Sequence, residues 1–353
     1  MAKTSETCKS ILDAALEAQL QAGCPGVILE INSPDQGLSF SAARGHFSRE
    51  GSRLLLPDDL FRVASVTKAL TAVVAVILAA QGKWQLDDPI IRYLPDNIGP
   101  HLESLRGTHP IETLTIRRLL NHSSGIPDYF FDQDFQIQVK AQPGHMWQPS
   151  ELIAAAAGVG ELIFTPGEDF CYGDTAYVLV GIAIEEILQM SLAEAYRSLI
   201  LSPLSMTSTW LENSEEFNAG FLSHHYAGDD DLRHNNYSFD WAGGGLVSTA
   251  ADLTLFLQGL FSGQLVEDQW LQQILNWQGK TRWRPHSSAR YLKYGLGLGV
   301  NRAYGEEVVG VTGVWGAFAY YWPPNRTAIA GTLNLVGADR AALMDEVIRA
   351  LTI

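Results

Sequence analysis

The amino-acid sequence predicts a mixed α/β fold, in which an antiparallel sheet built from both chain ends is flanked by helices and receives an inserted, mainly helical region. Strand-like apolar segments occur near the N-terminus, within residues 27–43, and near the C-terminus, within residues 294–334. The apolar runs between them have the length of helices. We therefore assign residues 1–62 and 285–353 to the sheet part, and residues 63–284 to the helical part, of a single unit.

Length, charge and cysteine content limit the class of protein. A chain of 353 residues can bury a sizeable core, and its net charge of -15 argues against nucleic acids and anionic membranes as partners. The polar N-terminus is not followed by an apolar signal segment, and no apolar run has membrane-spanning length. The cysteines Cys8, Cys24 and Cys171 form no disulfide or zinc pattern. We expect a cytoplasmic protein that acts on a small-molecule substrate without metal or cofactor, and its oligomeric state stays open.

The N-terminal elements follow from periodicity and turn residues. Apolar residues at helical spacing predict a helix over residues 5–21, which Pro25-Gly26 ends. Two strands are predicted next, over residues 27–31 and 38–43, and the turn residues 34–37 join them into a hairpin.

The stretch from Phe61 to Ala80 combines a Ser-x-x-Lys pattern with an apolar run. From Ala69 onwards nearly every residue is Ala, Val, Ile or Leu, which predicts a helix buried on most sides. Ser65 falls where this helix begins, and Lys68 projects from the same face one turn later. A neutral Lys can take the proton from a Ser hydroxyl, and burial or a helix dipole lowers the proton affinity of a Lys.

A lone Ser-x-x-Lys pattern has an ordinary explanation, in which the Ser caps a helix and the Lys lies on the surface. A Lys one turn into so apolar a helix, however, needs a reason to be there. We therefore treat Ser65 and Lys68 as a candidate catalytic pair.

The middle of the chain alternates helices with polar loops. Helices are predicted over residues 114–120, 150–157, 176–188 and 191–201. The loop after the first of them carries His122, which is either a catalytic base or a residue whose hydrogen bonds hold the loop backbone. Residues 128–142 show no clear period and predict a loop near the pocket.

The last part of the chain returns to strands. Glycines at residues 243–245 permit close approach of the backbone, and Ser248 or Thr249 caps the following helix, which ends near Leu260. Strands are predicted over residues 294–301, 307–312, 317–321 and 327–334, and a closing amphipathic helix over residues 338–351.

Five ordered motifs together resemble those of a known family. They are Ser65-Val66-Thr67-Lys68, Leu119-Leu120-Asn121-His122-Ser123-Ser124-Gly125-Ile126-Pro127, Pro166-Gly167-Glu168-Asp169-Phe170-Cys171-Tyr172, Ser202-Pro203-Leu204-Ser205-Met206-Thr207-Ser208-Thr209 and Gly243-Gly244-Gly245-Leu246-Val247-Ser248-Thr249. Over roughly residues 20–345 the chain resembles the serine β-lactamase and penicillin-binding-protein superfamily. It is most similar to the class C-like branch, which includes D-aminopeptidases, D-Ala-D-Ala carboxypeptidases and esterases. The resemblance implies a β-lactamase/transpeptidase-like fold.

The resemblance also implies roles for several residues. Ser65 is similar to the acylated nucleophile of the family and Lys68 to its proton partner. Tyr172 matches the Tyr of a Tyr-x-Asn motif, which acts with the Lys as general base and then protonates the leaving group. The oxyanion hole of such a protein would use the backbone N–H groups of Ser65 and Val314.

Two positions depart from the family pattern. Asp174 stands where the family has Asn, and an ionised Asp would favour a protonated Lys68. Whether the Asp174 side chain contacts the site or caps the next helix stays open. The third motif reads Val311-Thr312-Gly313 instead of beginning with Lys or His, so the group that helps to bind a substrate carboxylate is missing. The candidate substrate-binding residues are Asp174, His122, Val311, Thr312, Gly313 and Trp315.

The sequence therefore predicts a serine hydrolase that forms an acyl-enzyme on Ser65 and cleaves an ester, lactone or amide, with esters as the first expectation. One alternative is a β-lactamase or a D-amino-acid peptidase or carboxypeptidase. Another is a catalytically weak binding protein that retains the fold. Candidate walls of an aromatic pocket, each with core packing as the alternative, are Trp315, Tyr129, Phe130 and Tyr320.

Overall fold

The computed structural model describes residues 2–278 and 291–353. The strands of the main sheet are β1 (Gly26–Ser33), β2 (Leu38–Gly45), β8 (Lys293–Tyr294), β9 (Gly299–Ala303), β10 (Glu306–Thr312), β11 (Ala317–Trp322) and β12 (Thr327–Thr332). Shorter strands are β3 (Phe61–Arg62), β4 (Trp210–Leu211), β5 (Tyr226–Ala227), β6 (Asp230–Asp231) and β7 (Leu246–Ser248). The main sheet has the order β2-β1-β12-β11-β10-β9-β8, with each neighbouring pair antiparallel.

This strand order confirms the prediction of one antiparallel sheet built from strands near both ends of the chain. Strand β1 pairs with β12, and Ile31 lies opposite Ile329. The boundary that we placed between residues 284 and 285 lies outside the described residues.

Helices cover both faces of the sheet, and most of them lie in the part of the chain between strands β2 and β8. They are α1 (Ala2–Gln21), α2 (Thr67–Ala80), α3 (Gly99–Arg106), α4 (Ile116–Leu120), α5 (Gln133–Ala141), α6 (Pro149–Val159), α7 (Thr175–Leu188), α8 (Leu192–Tyr196), α9 (Trp241–Gly244), α10 (Ala250–Phe261), α11 (Asp268–Ile274) and α12 (Arg340–Leu351). Helix α5 lies in the segment where we predicted a loop, so that prediction is wrong. Its first turn is capped by the side chain of Asp132.

The two largest hydrophobic clusters of the described residues lie on opposite sides of the main sheet. Leu29 and Ile31 of β1 pack on one side with Leu16 of α1 and Val347 of α12. Ile28, which points the other way, joins the core of the helical region. This alternation is the period of two expected for a strand, and it places the helical region on one face of the sheet.

Helix α2 runs through the centre of the second core. Its residues from Thr67 to Ala79 are all buried, as the apolar run predicted. Ser65 lies just before it in a 3₁₀ turn spanning Ala64–Val66, and no side chain caps the helix start. The position of Ser65 at the start of this helix is therefore confirmed, whereas a capping role for its hydroxyl is absent.

None of the helices in the described part of the chain is by itself long and apolar enough to span a membrane. Helix α7 and the segment Leu192–Leu201, which meet at 80°, satisfy the criteria of length and composition only as a bent pair.

Candidate active site

A cleft beside Ser65 lies where the sheet meets the helical region. It is lined by the turn before α2, the loop before α7, helix α9 and the loop after β10, with contributions from α12 and from the segment before α5. The volume of the cleft is about 60 Å³. Predicted site residues in its lining are Ser65, Tyr172, Asp174, Thr312, Gly313 and Val314.

The backbone immediately before Ser65 has an uncommon conformation. Ala64 has a φ of 47°, and a residue with a side chain rarely adopts this value unless its surroundings impose it. Gly313 packs against this turn: a Cβ atom added to Gly313 would lie 2.3 Å from the carbonyl oxygen of Val63. A glycine is therefore required for the loop after β10 to approach Ser65 so closely.

Lys68 is completely buried next to Ser65. Its Nζ donates hydrogen bonds to Asp174 Oδ1 at 2.5 Å, to the carbonyl oxygen of Gly243 at 2.8 Å and to Ser65 Oγ at 3.2 Å. Three acceptors match the three N–H donors of an ammonium group, and Asp174 supplies the opposite charge that a buried Lys requires.

The carboxylate of Asp174 contacts Lys68 instead of capping α7. Asp174 occupies the N-cap position, but its side chain makes no cap hydrogen bond. The backbone N–H groups of Asp174 and Thr175 donate to Asp128 Oδ1, at 2.9 and 3.1 Å. Of the two possibilities left open by the sequence, the geometry supports contact with the site. Gly243 leaves room for this contact, because a Cβ there would lie 2.4 Å from Asp174 Oδ1.

Tyr172 lies beside Ser65 with its phenol oxygen buried. In the described part of the chain Tyr172 Oη has no hydrogen-bond partner. Burial holds the pKa of Tyr172 well above its usual value, and the nearby Ser65 hydroxyl opposes that rise without meeting hydrogen-bond geometry. The Nζ atom of Lys68 is 5.0 Å from the centre of the Tyr172 ring. The site therefore contains a neutral phenol next to a buried cation.

His122 packs behind Tyr172, with 4.3 Å between the ring centres. The imidazole is buried, and neither nitrogen has a hydrogen-bond partner among the described residues. Burial, followed by the charge of Lys68, holds the pKa of His122 well below its usual value. The side chain is not part of the cleft lining, so the predicted substrate contact is not present. The loop is instead held by its backbone, since the carbonyl oxygen of His122 accepts from the N–H of Cys171 at 2.9 Å.

The two backbone N–H groups predicted to form an oxyanion hole have no acceptor in the described part of the chain. Within the described ranges, the N–H groups of Ser65 and Val314 have no acceptor, whereas Gly313 donates to the carbonyl oxygen of Ala317 at 2.8 Å. Free N–H groups beside a nucleophile are what an oxyanion hole needs. The predicted pair of donors is therefore available to a ligand.

Two further predicted contacts lie outside the cleft. Val311 is buried in the core of the helical region, and because neighbouring strand residues face opposite sides, Thr312 reaches the cleft instead. Trp315 packs on Tyr237, with ring centres 4.8 Å apart, and lines an adjacent cavity of about 400 Å³. Neither side chain lines the space beside Ser65.

The aromatic part of the cleft differs from the prediction. Phe130 lines it as predicted, together with Phe131, which we had not singled out. Tyr129 is a buried core residue whose Oη donates to the carbonyl oxygen of Phe239 at 2.6 Å. Tyr320 is also buried, and it borders a different cavity, near α12.

Sequence reasoning missed three charged residues of the site. Asp128 caps α7, as described above. Asp240 lines the cleft and is only 5% exposed. Arg340, at the start of α12, also lines the cleft, and its Nη1 donates to the carbonyl oxygen of Gly313 at 2.6 Å. None of the three lies in a motif with a recognisable spacing, so the sequence offered no signal for them.

Asp240 should make the stability of the protein depend on pH. Burial, followed by the charge of Asp174, raises the pKa of Asp240 from 3.8 to about 8. The native state therefore keeps a proton that the unfolded state loses as the pH rises from about 4 to about 8. Over this window the free energy of unfolding should fall, by up to about 1.4 kcal/mol per pH unit from this residue, and the contribution should level off at higher pH.

The measurement is urea unfolding of the wild type and of Asp240→Asn across this pH window. The variant lacks the titrating group, so its stability relative to the wild type should increase steadily with pH. The subtraction removes the contribution of Asp128, whose pKa is raised to about 7 by burial and the charge of Asp174. A difference between the two proteins that does not change with pH would contradict the prediction.

The fold and the arrangement of Ser65, Lys68 and Tyr172 define a class of protein, that of the β-lactamase/transpeptidase-like fold. A family model described as Beta-lactamase matches residues 12–352. The chain belongs to the Beta-lactamase family.

Individual relatives support this assignment. Penicillin-binding protein 4* of Bacillus subtilis (strain 168) is 27% identical over 248 residues, which cover 63% of this chain and 49% of the relative. Esterase EstB of Burkholderia gladioli is 27% identical over 214 residues, which cover 58% of this chain and 56% of the relative. The chain thus spans about half the length of the curated relatives it matches.

Solved structures share the fold over nearly the whole chain. A D-stereospecific amidohydrolase from Streptomyces sp. superposes with a TM-score of 0.80 at 28% identity, covering 97% of each chain. The D-amino acid amidase from Ochrobactrum anthropi SV3 has the same fold, with a TM-score of 0.83 at 24% identity and 98% coverage of each chain.

Proposed function

We propose that this protein is a serine hydrolase that forms an acyl-enzyme on Ser65 and cleaves an ester, lactone or amide bond. The observation that carries the proposal is the fully buried Lys68, whose Nζ lies 3.2 Å from Ser65 Oγ. Removing an ammonium group from water is costly. Burial of the Lys68 charge is explained if this charge helps to activate the Ser65 hydroxyl, which lines the cleft.

In the proposed reaction, Ser65 Oγ attacks the carbonyl carbon of the substrate. The neutral phenol of Tyr172 gives its proton to the leaving group and takes the proton of Ser65 in its place, while the charge of Lys68 stabilises the negative oxygen in each step. The N–H groups of Ser65 and Val314 bind the carbonyl oxygen as it becomes negative. Water then attacks the acyl-enzyme, and the same groups act in the reverse order.

The names of the relatives support the proposed bond types. One is an esterase and another an amidohydrolase. We place activated esters first, because their good leaving groups demand the least from the proton-transfer groups.

The test exposes the wild-type protein to a fluorophosphonate and measures its intact mass, beside hydrolysis of p-nitrophenyl butyrate. A single adduct that maps to Ser65, together with turnover, is the expected result. An adduct on another residue would refute the assignment of the nucleophile. No adduct and no turnover would favour the binding-protein alternative.

A second candidate function is action on substrates that carry a free carboxylate, as in a β-lactamase or peptidase. Arg340 favours it, because this Arg lines the cleft next to Gly313 and provides a cation that Val311 does not. Hydrolysis of benzylpenicillin faster than that of p-nitrophenyl butyrate would establish this candidate as the main activity.

A further inference from the structure

We infer that Asp240 is a specificity-determining residue that binds a protonated amine, so that the preferred substrates are acyl compounds carrying an ammonium group. The inference rests on the proposed function, because it concerns the substrate of the cleft that contains Ser65.

Asp240 is a buried residue, and its carboxyl group has no partner among the residues that the structure describes. It lines the cleft, yet in the described part of the structure it has no hydrogen bond and no ion pair, and the residue is 5% exposed. The neighbouring acids are paired: Asp174 binds Lys68, and Asp128 accepts from the N-terminus of α7. A buried carboxyl group without a partner is costly. A ligand that pairs with the Asp240 carboxyl group would explain why this group lines the cleft beside Ser65.

The charges around Asp240 leave a cation as the matching ligand. Asp174 and Glu212 add negative charge near Asp240, whereas Lys68 and Arg62 oppose it. Both cations are already engaged: Lys68 by its three acceptors, and Arg62 by the two carboxylate oxygens of Glu212, each at 2.7 Å. Neither of them pairs with Asp240, and Arg340, which also lines the cleft, donates to the carbonyl oxygen of Gly313 instead. An ammonium group from the substrate can therefore pair with the carboxylate that forms when Asp240 loses its proton.

The cleft also offers aromatic surface for such a group. Phe130 and Phe131 share the lining with Asp240, and the faces of aromatic rings attract organic cations. A carboxylate and aromatic rings in one cleft suit an alkylammonium better than an inorganic ion, because the alkyl part gains from contact with the rings.

Binding of an amine should release a proton at neutral pH. Burial and the charge of Asp174 raise the pKa of Asp240 to about 8, so the carboxyl group is protonated in the free protein. A bound ammonium group favours the ionised form. The surrounding groups Asp174, Glu212 and Lys68 are already in ion pairs. Asp128, the neighbouring acid with a raised pKa, does not line this cleft, so we expect the released proton to come from Asp240.

The test measures how two probes of similar size, n-butylammonium and n-butanol, slow the labelling of Ser65 by a fluorophosphonate. We expect n-butylammonium to protect the wild type about tenfold better than n-butanol, which is the effect of one buried charge-assisted contact. In Asp240→Asn this preference should fall to about twofold or less. Asp134→Asn, which removes an exposed carboxylate at an adjoining cavity, is the matched control and should keep the wild-type preference.

The outcomes separate the inference from the proposed function. Equal protection by both probes in the wild type overturns the inference, and so does an unchanged preference for n-butylammonium in Asp240→Asn. In either case, labelling of Ser65 by the fluorophosphonate leaves the hydrolase proposal intact. If Ser65 is not labelled at all, the proposed function fails. Calorimetric titration of n-butylammonium into the wild type and Asp240→Asn then decides the inference: wild-type binding with proton release supports it, and equal heats overturn it.

Discussion

Ser65→Ala is expected to lower kcat/KM for p-nitrophenyl butyrate by about a thousandfold or more, because the attacking oxygen is lost. The fluorophosphonate adduct should disappear with it. The fold should persist, since among the described residues the Ser65 side chain makes one hydrogen bond, which it accepts from Lys68, and the two other acceptors of Lys68 remain. Loss of that hydrogen bond should cost about 1 kcal/mol of unfolding free energy.

The measurement is kcat/KM together with the melting temperature of each protein. Ser223→Ala is a suitable control, because Ser223 is a buried serine outside the cleft lining and its hydroxyl has no partner among the described residues. It should keep both activity and adduct. Turnover that survives in Ser65→Ala would mean that another residue is the nucleophile.

Lys68→Met is expected to damage both activity and stability. The substitution leaves Asp174 buried without its cation, and breaking a buried ion pair in this way lowers the free energy of unfolding by about 3–5 kcal/mol. Loss of the charge that stabilises the negative oxygens during proton transfer should lower kcat by about 100-fold to 10,000-fold. Urea unfolding and initial rates on the folded fraction measure the two effects separately.

A double variant and a matched ion pair identify the origin of each effect. Adding Asp174→Asn to Lys68→Met removes the unpaired charge, so most of the stability should return while the activity stays low. Arg62→Met breaks another buried pair, that of Arg62 with Glu212, outside the cleft lining. It should lower stability and leave the rate per folded molecule nearly unchanged. Recovery of activity in the double variant would show that Lys68 serves the fold alone.

Local patterns of the sequence were enough to predict the elements that carry the proposed nucleophile. The apolar run after Ser65 has one plausible structure, a buried helix, and Lys68 is then forced into the core. The strands at both chain ends were visible from their composition. Helix α5 was missed because its aromatic and polar residues follow no clear period, and its cap at Asp132 is a single residue.

The walls of the cleft could not be predicted in the same way. The alternation of Val311 and Thr312 in strand β10 is visible in the sequence, but which of them faces the cleft depends on how the sheet packs against the turn before α2. Asp240 and Arg340 come from distant parts of the chain, and their burial and partners arise only from tertiary packing. A charged residue in a loop carries no local sign that it will be buried.

The pairing of β1 with β12 has a consequence for the order in which the molecule folds. Ser33 and Thr327 hydrogen-bond across these strands although they are 294 residues apart in the chain. During synthesis on the ribosome, β1 can pair with β2 early, but nearly the whole polypeptide must be made before its other neighbour, β12, emerges. Such distant pairing is slow. Val314, on the same late segment, reaches Ser65 only after this step. Folding intermediates that contain the complete helical region should therefore remain unreactive towards fluorophosphonates, and reactivity should appear together with closure of the sheet.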